Sequence, residues 1–270
     1  MEERTLTPGS TVTATLLRAL AASGSVIALL VGWELLARSG TFSAFLLPQF
    51  TVVVARVVQD ALSGTLLVQL GLTLWRALAG FALAGVFGVI IGVLMARTRG
   101  AAWFFDPIVS IGFPAPKIAF LPVFILWFGL FDLSKILMAA FAAIFPVIVA
   151  TSAGTEGVDK YLVWSARNAG ASERNLLYEI ILPAALPQII TGLQVALPIS
   201  LIVTIVSEMV MGGEGLGGTM MIAARFADSV GVFAGIVEIA IAGYVLIKAI
   251  ELARSRLLIW HQETQQIATF

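Results

Sequence analysis

The chain has no cysteine, a single histidine among 270 residues, and only 12% charged residues. The missing cysteines exclude disulfides and thiolate metal sites. The lone His261 lies in the tail, which leaves no Ser-His-Asp triad within the membrane and no histidine pair for a metal. No catalytic residue and no metal site is therefore expected. There is also no G-x-x-x-x-G-K-[ST] phosphate loop, so the chain cannot hydrolyse ATP by that chemistry and has no nucleotide cofactor of its own. Its formal charge is zero, which says nothing about partners, and no nucleic-acid partner is expected.

Hydrophobic residues make up 59% of the chain and fall in runs long enough to cross a bilayer. The expected class is all-α, a polytopic membrane protein with six transmembrane helices forming one domain over 1–270. The clearest run is Ala77 to Ala96, twenty residues without a charge, closed by Arg97 and Arg99. The six spans are placed at about 19–37, 66–96, 116–131, 135–152, 189–210 and 229–250. The third and fourth carry Pro122 and Pro146, which calls for tilted or broken helices shielded by neighbours. The first apolar run is too long for a secretory h-region and no A-x-A-like site follows it, so it is expected to remain as an anchor. Between the first two spans, Ser39 to Gly64 suggests an interfacial helix near Phe50 to Leu62, and the tail after Trp260 is polar.

Placing the N-terminus in the cytoplasm puts Arg4, Arg18, Arg97, Arg99, Lys160, Arg167, Arg174, Arg254 and Arg256 inside. It leaves Arg38, Arg56, Lys135 and Arg225 outside, and nine against four favours this orientation, with both termini cytoplasmic. The most polar interspan segment, 156–187, then faces the cytoplasm. Within it Leu162 to Ala169 contains helix formers, Gly170 can end that helix, and Ser172 can cap a second one whose first turn holds Glu173. Pro183 is expected to stop this second helix at Leu182, with Pro187 repeating the signal. On the residues alone two readings stand: an amphipathic segment lying on the inner leaflet with Leu176, Leu177, Ile180 and Ile181 down, or a docking element for a soluble partner.

Ala166, Gly170, Ala171, Ser172, Leu182-Pro183, Pro187 and Gly192 match, in type and spacing, the EAA loop of binding-protein-dependent ABC importer permeases, and the chain resembles that family. Pro114 to Leu137 (PAPKIAFLPVFILWFGLFDLSKIL) and Gly213 to Gly218 (GEGLGG) resemble its taurine, alkanesulfonate and nitrate subgroup. The resemblance implies a permease in the bacterial inner membrane, partnered by a pair of cytoplasmic ABC ATPase subunits that bind the ATP, a periplasmic substrate-binding protein, and a second permease copy in a homodimer. It also implies that 156–187 is the ATPase-coupling loop, with Trp164, Ser165, Ala166, Gly170, Ala171, Ser172 and Pro183 as coupling residues. Trp164 and Ser165 stand where the family usually has glutamate and alanine, so an ion pair there is absent or is supplied by Glu156 or Asp159.

Charged groups in the spans need a reason, because each costs roughly 3 kcal/mol or more in hydrocarbon unless paired or hydrated. Lys117 either snorkels to the surface or attracts an anion in a cavity; Arg76 is expected to anchor at the interface; Glu208 is expected to pair with Arg225 or support an outer gate; Glu238 has no nameable partner. Lys117, Trp127 and Glu208 are the candidate path or gate residues. The implied cargo is an organic sulfonate, taurine or a nitrate-like anion, with a pyrimidine or flavin precursor as the alternative. Two other classes compete: an ion-coupled secondary carrier, disfavoured because the two halves share no pattern and Glu34, Glu208 and Glu238 are not symmetrically placed, and a membrane scaffold. Ala84, Gly88 and Gly92, four residues apart, indicate a close helix contact.

Overall fold

The computed structural model describes residues 24–258, which are mostly helical, with no strand among them. Helix α1 covers 24–38, and the beginning of the expected span 19–37 lies outside the described residues. The interfacial helix expected near Phe50 to Leu62 is α2, Phe50–Leu62. Then follow α3 (Thr65–Arg97), α4 (Arg99–Gly112), a 3-10 turn (Lys117–Phe120), α5 (Leu121–Phe128), α6 (Asp132–Glu156), α7 (Lys160–Asn168), α8 (Glu173–Asn175), α9 (Leu182–Met211), α10 (Leu216–Arg225) and α11 (Ser229–Leu257). Four helical segments, beginning at Thr65, Asp132, Glu173 and Ser229, are long and apolar enough to cross a membrane, and a bent pair makes a fifth if it counts as one span.

The centre of the bundle is α3 against α6, and small residues set the approach. A Cβ added at Gly80 would meet Ala139 at 2.8 Å, one at Gly88 would meet Val147 at 2.7 Å, and one at Gly92 would meet Thr151 at 2.6 Å. Ala84 fills the remaining position of the series, packed with Ala143 and Val147. The contact expected from Ala84, Gly88 and Gly92 is thus present and extends a turn further, as backbone-to-backbone packing without a hydrophobic driving force requires. The partners advance in step, so α3 and α6 run in the same direction.

Parallel packing has a topological consequence. Residues 98–131 must carry the chain from the Arg97 end of α3 back to the end where Asp132 starts α6. They do so as α4 and the Lys117–Phe128 segment, bent by 99° at the break between them. A single span over 116–131 does not form. Residues Leu121–Phe128 make only eight residues of helix, about 12 Å, so α5 cannot cross alone. Pro114 and Pro116 interrupt the path, and α4 supplies the rest of the crossing, with Pro107 inside it.

Helix α9 runs antiparallel to α6, with Gly154 against Gln188 and Gly192 against Ala150. Its start differs from expectation. Pro183 does not end a helix at Leu182; the chain widens into a π-helical stretch, Leu176–Ile181, and enters α9 with Pro183 in its first turn. There a missing N–H is not needed and the fixed φ is helical. Helix α1 lies against α2 and α11: the Trp33 ring is 5.3 Å from that of Phe50 and 5.5 Å from that of Phe233. Glu34, the charge that interrupted the first span, is bonded to Arg38 and to the backbone and hydroxyl of Thr51.

Gly88→Leu is expected to destabilise the protein by roughly 1–3 kcal/mol through overpacking against Val147, read as a lowered thermal midpoint of the purified chain. Gly71→Leu, in the same helix with nothing within 4 Å of an added Cβ, should leave the midpoint unchanged or raise it.

Candidate functional site

The polar segment 156–187 folds as a helical corner. Asp159 caps α7 by accepting from the Tyr161 N–H at 2.8 Å. The helix ends in a Schellman arrangement: Ala171 N–H reaches the Ala166 carbonyl, Gly170 N–H reaches that of Arg167, and Gly170 has φ +87°. Ser172 then caps α8 by accepting from the Asn175 N–H, as its position suggested. Glu173 accepts from Arg167 at 2.9 Å and from Arg97 at 2.8 Å, tying the corner to the end of α3. No sequence signal picked out this three-way tie, because Arg97 is distant in the chain.

The apolar face of the corner is covered by the protein itself. Leu176 and Ile181 are buried with Val158, Ala185 and Ile189, and Val163, Leu177 and Val89 pack around them. This removes the reading in which Leu176, Leu177, Ile180 and Ile181 lie down on a leaflet. The opposite face of α7 has no cover: Tyr161, Leu162, Trp164 and Ser165 are exposed, and the Trp164 ring stands 5.6 Å from that of Tyr161. Pro183 is also exposed, on the first turn of α9. Of the two acids considered as substitutes for the missing glutamate, Asp159 is engaged as the α7 cap and Glu156 accepts from Ser152.

At the other end of α9, Glu208 is fully buried and paired with Arg76, not Arg225, at 2.7 Å. Arg76 is itself 3% exposed, so it is a buried tie rather than an interfacial anchor. It also reaches Asp132 at the start of α6 and donates to the Glu214 carbonyl. Thr73, one turn earlier on α3, donates to Glu208 and accepts from the Leu216 N–H, while the Gly217 N–H donates to the second Glu208 oxygen. Lys135, also buried, donates to the Gly212 carbonyl. The GEGLGG loop is glycine-rich for a steric reason here. A Cβ at Gly215 would lie 2.3 Å from the Glu208 carboxylate, and Gly215 sits at φ +113°.

The three candidate path residues are not brought together. Lys117 donates to the Phe113 carbonyl and its ammonium lies 5.4 Å from the Phe113 and Phe145 ring centres, so it is satisfied locally. Trp127 is exposed on α5 beside Phe124 and Phe128. Glu208 is locked in its ion pair. A cavity of about 1120 Å³ lies elsewhere, between α4 and α6, lined by Trp103, Phe113 and Pro114 with the polar groups of Asp106, Ser110 and Ser152.

The described residues thus form a helical bundle with a charged corner at one end and a buried ion pair at the other, with four helical segments long and apolar enough to cross a membrane. The chain belongs to the family described as binding-protein-dependent transport system inner membrane component, which it matches over residues 86–254. It is 34% identical to SsuC of Bacillus subtilis (strain 168), a permease named for aliphatic sulfonate transport, over 84% of this chain and 83% of that one. It is 31% identical to the taurine transport system permease protein TauC of Escherichia coli (strain K12), over 90% of each. In fold it is similar to a chain of a solved amino acid ABC transporter, with TM-score 0.60 and 16% identity, over 74% of this chain and 95% of that one.

Glu208→Ala would leave Arg76 short of its buried counter-charge and should cost about 3–5 kcal/mol, measured by denaturation of the purified protein. The double variant Arg76→Met with Glu208→Met should lose less than either single change.

Proposed function

We propose that this chain is the permease subunit of an ATP-driven importer for small organic sulfonates, taurine among them, which a periplasmic binding protein delivers. The observation that carries the reading is identity above 30% to two permeases named for sulfonate and taurine, along more than four fifths of the chain. A pair of cytoplasmic ATPase subunits would dock on the uncovered Tyr161–Trp164 face of α7 at the Gly170 corner. Hydrophobic packing would carry the contact, since the acids nearby are used within the chain. A second copy would close the translocation path, because the 1120 Å³ cavity between α4 and α6 is open on one side and the neighbouring Trp103 is 82% exposed. Closure of the ATPases would move α7 and α8, and the buried Leu176, Ile181 and Ala185 would pass that motion into α9 and so to the Glu208 latch.

The test is ATP hydrolysis by the assembled importer in lipid vesicles, with its ATPase and binding protein. Taurine or an alkanesulfonate should stimulate hydrolysis and accumulate; uptake driven by a proton gradient without ATP would instead make the chain a secondary carrier. Gly170→Arg should abolish this stimulation and uptake while the permease still assembles, because an added Cβ there meets nothing within 4 Å and the strain is confined to the φ +87° corner. Normal uptake by that variant would remove the corner from the coupling mechanism.

A further inference from the structure

Glu238 on α11 is 8% exposed, and its Oε1 has no hydrogen-bond partner. It forms no ion pair among the described residues. A carboxylate left so in a membrane-spanning helix is costly, and such a group usually marks a site whose counterpart comes from outside the chain. Two cavities meet at this residue. One, about 280 Å³, lies among α2, α3, α10 and α11 and is lined by Arg56, Asp60, Gln69, Thr219 and Asp228 as well as Glu238. The other, about 170 Å³, is lined apart from Glu238 by apolar side chains, including Leu66, Leu70, Leu74, Ile241 and Val245.

The two have the layout of an amphiphile. The polar cavity sits where α3 and α11 begin, and the apolar one continues along both helices in the same direction, to Leu74 on α3 and Ala249 on α11. From Glu238 to Ala249 α11 advances eleven residues, about 16 Å, close to the hydrocarbon depth of one leaflet at half of roughly 30 Å. The polar cavity has three carboxylates and one guanidinium. Arg56 spends its Nε on Asp60 and its Nη1 on Asp228, leaving Nη2 without a hydrogen bond among the described residues. Asp60 and Asp228 are thereby already paired, and Glu238 is not. The acids do not converge into a metal-binding group. The complementary head therefore carries a hydrogen-bonding ammonium for Glu238 and an anionic oxygen for the free edge of Arg56.

We propose that this composite cavity binds one ethanolamine phospholipid of the membrane, with its ammonium on Glu238, its phosphate on Arg56 and an acyl chain along α3 and α11. Part of the site is outside the residues that match the family, since Arg56, Asp60, Leu66, Gln69, Leu70 and Leu74 all precede residue 86. The lipid would thus cement α2 to the transport core.

Native mass spectrometry of the full chain, with dioleoyl phosphatidylethanolamine, phosphatidylcholine and phosphatidylglycerol added in turn, tests the assignment. Phosphatidylethanolamine should be retained about tenfold more than the other two, because trimethylation removes the ammonium donors and glycerol removes the positive charge. Glu238→Gln should abolish the preference, and Ala249→Trp, at an exposed position at the apolar end of the groove, should weaken retention with the carboxylate intact. Equal retention of the three lipids by the unmodified chain would overturn the proposal even if Glu238→Gln fails to fold, and would leave Glu238 as a buried carboxylic acid. Loss of lipid adducts on adding free ethanolamine at matched concentration would also overturn it, by showing that the site reads the amine alone.

Discussion

One buried arginine ties the three central helices together. Arg76 on α3 bridges Glu208 on α9 and Asp132 on α6, and its remaining reach goes to the backbone of the glycine loop. Two charges taken out of water are favourable only if every lone pair and proton finds a partner. Here Thr73 and the Gly217 N–H complete Glu208, while the Glu214 carbonyl completes Arg76. That demand explains the loop sequence: the backbone must come so close to the carboxylate that only glycine fits at position 215. It also limits placement. Arg76 is 21 residues before Arg97, about 30 Å along α3, so the pair lies toward the opposite end of that helix from the charged corner.

Much of the fold was legible in the sequence because lipid imposes simple rules. Apolar run length located α3, α6, α9 and α11, the four-residue spacing of Ala84, Gly88 and Gly92 located the α3–α6 contact, and Gly170 with Ser172 located the corner. What escaped were features decided by pairing across the bundle. Arg76 looked like an anchor because sequence distance hides the fact that its turn of α3 faces the last turn of α9. Glu208 was matched to Arg225 for the same reason, as the nearest base in the chain. Helix α4 was not expected because the third span was placed wholly at 116–131, whereas a bent pair can share one crossing when neighbours shield the break. Pro183 misled through a rule about helix ends that a π-helical stretch evades.

Nothing in the sequence alone distinguished the two readings of the corner, and the packing does. An amphipathic helix buries its apolar face against whatever is nearest, and here α7, α3 and α9 supply the surface before a leaflet can. Once that face is spent, the exposed Tyr161–Trp164 face is a separate apolar surface outside the spans. The missing loop glutamate fits this arrangement, because an aromatic at position 164 replaces a charge with contact area.

The same packing restricts how the subunit can move. Where glycines of α3 sit directly over Ala139, Val147 and Thr151, small sliding displacements raise Cβ-to-backbone overlap, so α3 and α6 should shift as one body. Rocking must be taken up where the chain is not locked by such contacts. The break between α4 and the Lys117 turn and the Gly170 corner fit that description. The Gly212–Gly215 loop has equal backbone freedom but is pinned by Arg76, Gln69 and Lys135. The bundle is therefore held most tightly at its Glu208 end, where the half-exposed Asp132 is the point at which the buried cluster meets solvent.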